Sequence, residues 1–154
     1  MSKFNEQDEQ DYNKSCPKNM EMQINELTEK VIGCAYRVHK ELGNGFLEKV
    51  YENALRIELS EAGLTAKQQQ PIPVTYHGQL IGDFYTDLLI DDRLIIELKA
   101  VQKLAREHEV QLVNYLTATG IDNGLLINFG ASVEVKRKFR KYKDNRQDSQ
   151  ELQD

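Results

Sequence analysis

The sequence predicts an α/β domain with a central mixed β-sheet flanked by helices, in the order α-α-β-β-β-α-β. Three observations carry that expectation. Apolar residues recur at helical spacing between Ile24 and Leu42. Three strand-type runs follow one another at about 65–76, 79–90 and 94–101, separated by turn residues. A helical stretch and an apolar strand, 105–119 and 124–130, then succeed each other as a parallel crossover requires. A chain of 154 residues is long enough for one domain with a substantial core.

Residues 1–22 are polar and acidic with few apolar anchors, and are expected to form a flexible arm. Ile24, Leu27, Val31, Cys34, Ala35, Val38 and Leu42 line one face of the first helix, which ends at Gly43-Asn44-Gly45. The second helix starts near Phe46 and runs to Ala62, with Gly63 as its stop. Pro71 and Pro73 place the first strand at an edge or a bulge. His77-Gly78 is a turn before the second strand. In the third helix, Val110, Leu112, Val113 and Leu116 are expected to point inward, and Gly120 closes it. From Val135 the chain becomes basic (Lys136, Arg137, Lys138, Arg140, Lys141, Lys143, Arg146) and then acidic. This stretch reads equally as a phosphate-touching tail or as a solvated helix end. The expected divisions are an arm over 1–22, a folded domain over 23–134 and a tail over 135–154.

A net charge of −5 argues against a protein that coats polyanions, while leaving room for a local cationic patch. Cys16 and Cys34 lack the spacing of a zinc site or a disulfide framework. His39, His77 and His108 share no metal spacing either. The first residues carry no apolar core of a leader, and no run approaches membrane-spanning length. A cytoplasmic protein without membrane association is the expectation.

The chemistry concentrates in one hairpin. With a three-residue turn at Asp91–Arg93, Ile90 faces Leu94, Leu88 faces Ile96 and Asp87 faces Glu97. Lys99 then lies beside Glu97 and across from Tyr85, while the opposite face holds only Leu88, Ile90, Leu94, Ile96 and Leu98. A two-residue turn would separate the acids, and the apolar alternation favours the longer one. Two carboxylates and an ammonium together can hold a hard divalent cation, Mg²⁺ or Mn²⁺, and stabilise charge developing on a phosphoryl group. A buried salt bridge of Lys99 with one carboxylate explains the same three residues, and both readings stand on the pattern alone. Elsewhere, Glu48 opens the second helix, where a carboxylate also suits the helix dipole, and Tyr51 follows one turn later. Gln111 and Tyr115 share a face of the third helix, which also carries Arg106 and His108.

Gly45-Phe-Leu-Glu48-Lys-Val-Tyr51 resembles the motif that names the GxxExxY proteins, members of the PD-(D/E)XK nuclease-like superfamily. The resemblance runs from about Leu27 to Phe129. It takes in Asp87-Leu-Leu-Ile-Asp, Glu97-Leu-Lys99-Ala, and His108-Glu-Val-Gln111-Leu-Val-Asn-Tyr115-Leu. It implies a restriction-endonuclease-like core and a metal-dependent nuclease that hydrolyses DNA, or RNA, with Mg²⁺ or Mn²⁺. Asp87 and Glu97 would be the metal-binding carboxylates, Glu48 the helical acid that completes the site, and Lys99 the lysine acting on the attacking water. Gln111 and Tyr115 reproduce the Q-x-x-x-Y spacing of RecB-type nucleases and would hold substrate. Thr86 stands where the superfamily label has proline, which removes no chemical group. A non-catalytic module that binds nucleic acid or protein on the same scaffold is the alternative. Because superfamily nucleases often pair two sites, a homodimer or a protein partner is a further expectation.

Overall fold

The computed structural model describes residues 17–141, and the first helix, α1 (Pro17–Leu42), begins at the first of them. Residues 17–22 are therefore helical, where an arm was expected. Proline suits the first helical turn, and the Lys-Asn-Met-Glu-Met that follows is mostly of good helix formers. Residues 1–16 lie outside the described residues, as does the polar stretch beyond Lys141. Ile24, Leu27, Val31, Cys34, Ala35 and Val38 are all buried along one stripe, as the periodicity predicts. Gly43 (φ +68°) and Gly45 (φ +105°) then reverse the chain into α2 (Glu48–Glu61). That helix starts two residues later than expected, because Leu47 is still extended.

Among the described residues five strands form one sheet: β1 (Ala66–Tyr76), β2 (Gln79–Ile90), β3 (Leu94–Lys99), β4 (Asn123–Phe129) and β5 (Val133–Phe139), in the order β1-β2-β3-β4-β5. Of these strands only β3 and β4 pair in parallel, across the crossover helix α3 (Arg106–Thr119). β1, with its two prolines, is an edge strand as expected.

The other edge corrects the sequence reading. Residues 133–139 are a strand, so the order gains an eighth element and the domain runs past the expected boundary at 134. The basic residues here are neither a free tail nor a helix end. Strand alternation sends Arg137 to one face, where it donates to Asn25 of α1 at 2.8 Å, and Lys138 to the other, where it pairs with Glu109 of α3 at 2.6 Å.

Two layers cover the sheet. α1 and α2 pack on Leu88, Ile90, Leu94, Ile96, Leu98, Leu125, Ile127 and Phe129, which form the main core. α3 covers the opposite face, with Leu112 and Leu116 on Ile95 and Leu126. Each fully buried aliphatic side chain contributes about 1.5–3 kcal/mol, so the larger layer holds the fold. Gly124 lets α3 lie close to β4: a Cβ there would stand 3.0 Å from Leu112 Cδ1. Val110, expected inward, is 50% exposed, because the period that buries Leu112 and Leu116 turns it toward a groove.

Candidate active site

The β2–β3 hairpin has the predicted register, Leu88 with Ile96 and Ile90 with Leu94, across a connection of three residues. Asp91 (φ +50°) and Asp92 (φ +56°) accept the left-handed backbone the turn demands, which aspartate tolerates better than most residues. The ladder ends where Asp87 faces Glu97, and side chains take over its hydrogen bonds. The Asp87 N–H donates to Glu97 Oε1 at 3.3 Å, and the Leu98 N–H donates to Asp87 Oδ2 at 2.7 Å. On its other side, β2 pairs with β1 through Leu88–Gln68 and Thr86–Gln70, while Gln69, opposite Asp87, leaves the ladder. Asp87 thus stands in an opening between three strands.

This opening is an acidic, poorly solvated place. Burial raises the Asp87 carboxyl above its ordinary range, and the negative charges of Glu52 and Glu48 add to it, against the Leu98 N–H. Glu97, only 8% exposed, is pushed up to about 8, first by burial and then by the charge of Asp87. The Asp87 N–H and the Lys99 ammonium act the other way on it. Two hard-oxygen donors that resist ionising side by side are what a divalent cation would relieve, so the donor set fits one. Among the described residues, however, no three His, Cys, Asp or Glu side chains converge into a ready-made cage.

Lys99 is half-buried, and among the described residues no ion pair engages it. Its ammonium is near enough to Glu97 to favour that carboxylate's charged form, yet it does not close the neutralising salt bridge. The chain beyond it is clamped by buried Asn128, which accepts from Val101 N–H at 3.0 Å and donates to Val101 O at 2.9 Å. Across the sheet, Gln111 Nε2 donates to Tyr115 Oη at 2.8 Å. Burial raises the Tyr115 hydroxyl, and the charges of Glu97 and Asp87 raise it further, so α3 holds this residue within reach of their field. Tyr115 and Gln111 also line a groove of about 880 Å³ between α3 and the β1–β2 arm, with Phe84, Val74 and Arg106 on its walls. Phe84 lies against Tyr115 with ring centroids 5.7 Å apart.

Glu48 is exposed at the start of α2 and reaches Asp87 through its charge alone. The sequence reading passed over Glu52, one turn further, whose charge weighs more on Asp87. Glu52 is 3% exposed, and it accepts from Lys49 and Gln68 at 2.6 Å and from Gln69 at 2.7 Å. Its only sequence signal is its position four residues after Glu48 on the same helix face. Tyr51 is wholly buried, stacked on Phe129 at 4.6 Å, and its hydroxyl donates to Gly43 O at 2.7 Å and accepts from Phe46 N–H at 3.3 Å. It latches the glycine turn onto the helix start that carries Glu48. The histidines keep to structural work where their bonds are visible: His108 Nδ1 accepts the Ala105 N–H, and His39 Nε2 bonds Gly130 O.

Residues 25–141 match the family model of the PD-(D/E)XK nuclease superfamily. The crystal structure of SSO0001 resembles the chain with a TM-score of 0.52 at 16% identity, over 68% of this chain and 58% of that one. The chain therefore spans less than two thirds of SSO0001, with which it shares its fold. An alkaline exonuclease (LHK-Exo) from Laribacter hongkongensis aligns with a TM-score of 0.42 at 15% identity, over 77% of this chain and 81% of that one. No curated protein matches. The architecture is restriction-endonuclease-like, a five-stranded mixed sheet between helices. Among the described residues no helix is long and apolar enough to cross a membrane.

Proposed function

The chain belongs to the PD-(D/E)XK nuclease superfamily, and from that membership we propose that it is a metal-dependent nuclease hydrolysing the phosphodiester bonds of DNA or RNA. The observation that carries the reading is the opening at Asp87, where two buried carboxylates stand side by side next to an ammonium that neutralises neither of them. A buried structural salt bridge would have closed that gap.

Asp87 and Glu97 would hold Mg²⁺ or Mn²⁺, with Glu48 approaching from the start of α2. When bound, such a cation neutralises phosphate charge and lowers the pKa of water. Lys99 donates hydrogen bonds to the attacking water and the crowded phosphoryl oxygens, at a place that Asn128 keeps fixed through Val101. Gln111 and Tyr115 hold the substrate, and their groove with Phe84 and Arg106 is the track along which it lies. The glycine turn and the Tyr51 latch support the narrower assignment to the GxxExxY proteins, since they give the motif's Gly45 and Tyr51 a physical task.

Calorimetric titration with Mn²⁺, together with cleavage assays on single- and double-stranded DNA and RNA, tests the proposal. Cation binding that Asp87→Asn abolishes, accompanied by cation-dependent cutting, is the expected result. Binding without cutting of any substrate would mark a non-catalytic module instead.

A further inference from the structure

Gln69 lies in register opposite Asp87, between the paired Gln68–Leu88 and Gln70–Thr86, yet its φ is +51°. A side chain other than glycine rarely takes this backbone inside a strand, and it persists only where the surroundings over-determine it. Those surroundings are visible. Gln69 Nε2 donates to Glu52 Oε1 at 2.7 Å and makes a longer contact of 3.5 Å to Asp87 Oδ1. Glu52 is itself immobilised, because its other oxygen accepts from Lys49 and Gln68.

Strand alternation puts Gln68 on the α2 side of the sheet and would put Gln69 on the α3 side. The left-handed backbone lets one carboxamide reach both a carboxylate on α2 and the carboxylate in the opening. An amide is suited to this task. It steadies Oδ1 without bringing a charge, whereas a lysine or arginine there would neutralise Asp87 and compete with a cation.

We infer that Gln69, anchored by Glu52, is a positioning residue that presents the Asp87 carboxylate to the cation. Its contact sets the direction of Oδ1, while the Leu98 N–H holds Oδ2. The inference rests on Asp87 being a cation ligand, as proposed above.

Gln69→Gly and Gln69→Asn separate this role from simple support of the turn. Glycine is at home at φ +51°, and asparagine tolerates it but is one methylene too short to span the two acids. Both variants should stay folded and melt near the wild-type temperature, because relief at a left-handed backbone offsets the lost bond to Glu52. Yet they should bind Mn²⁺ about tenfold more weakly or worse, with a matching fall in kcat and little change in KM. Wild-type Mn²⁺ affinity in either variant overturns the inference and leaves the nuclease reading intact. A wild type that binds Mn²⁺ without cleaving overturns the nuclease reading, while weaker affinity in the variants still supports the positioning role. A wild type that binds no Mn²⁺ overturns both.

Discussion

The backbone N–H of Leu98 donates to Asp87 Oδ2 at 2.7 Å, so a side chain of β2 takes a strand donor where the ladder between the two strands has ended. Where the strands part, two acids face each other; burial raises both, and the charge of Asp87 raises Glu97 further. Backbone N–H groups hold both carboxylates in fixed directions. On the reading proposed above, that is pre-organisation for a cation.

Asp87→Asn tests the cost of this arrangement. The amide oxygen still accepts the Leu98 N–H, and one of several neighbouring negative charges disappears. The cation-free protein should become more stable, read as a higher Tm, since burial and the charges of Glu52 and Glu48 all disfavour the ionised carboxyl. Cation affinity in the calorimeter should fall at least tenfold, near the range seen when groups around a metal are altered. A lower Tm with unchanged affinity would remove Asp87 from the site.

Stability should also depend on pH in a stated direction. Glu97 titrates at about 8 in the fold, against about 4.3 in an unfolded chain. The folded state therefore binds more protons between those values, and stability falls as pH rises through that window. Its contribution is fully present below the unfolded value and lost above the folded one. Urea unfolding at pH 5, 7 and 9 without cations should show the decline, and saturating Mn²⁺ should oppose it at the alkaline end. A rise toward pH 9 without cations would contradict the assignment.

Much of this was legible because the hairpin obeys a strict period of two. Leu88, Ile90, Leu94 and Ile96 could be buried together in only one register, and that register brings Asp87 opposite Glu97. The helix stripe from Ile24 to Val38 was readable for the same kind of reason. β5 was hidden because Lys136, Arg137 and Lys138 look like a solvated tail, while their partners Asn25 and Glu109 lie far away in sequence. Glu52 escaped notice because a glutamate on a charged helix is ordinary until a strand lays two glutamines over it. Gln69 sits in the run Gln68-Gln69-Gln70, where nothing in the composition marks the one residue with a left-handed backbone.

Tyr51→Phe should separate the latch from the chemistry. The ring and its stack on Phe129 remain, while Gly43 O and Phe46 N–H lose their partner. A loss of about 1–2 kcal/mol is expected from denaturant unfolding. Mn²⁺ affinity should change little, because Asp87 and Glu97 are positioned by β2 and β3. Loss of cation binding with intact stability would place Tyr51 in the site itself.

Phe84→Ala tests the groove. Phe84 packs on Tyr115 but touches neither carboxylate, so its removal should raise KM for cleavage and leave kcat nearly unchanged. An unchanged KM on every substrate cut by the wild type would move the substrate track elsewhere.

The most direct measurement is cleavage of end-labelled nucleic acid in Mg²⁺ or Mn²⁺ by the wild type and by Lys99→Ala, purified in parallel. Among the described residues Lys99 makes no ion pair that its loss could break, so the variant should fold and bind cation normally while cutting at least about a hundredfold more slowly. Cutting by both proteins at the same rate, or by neither on any single- or double-stranded substrate, would contradict the account.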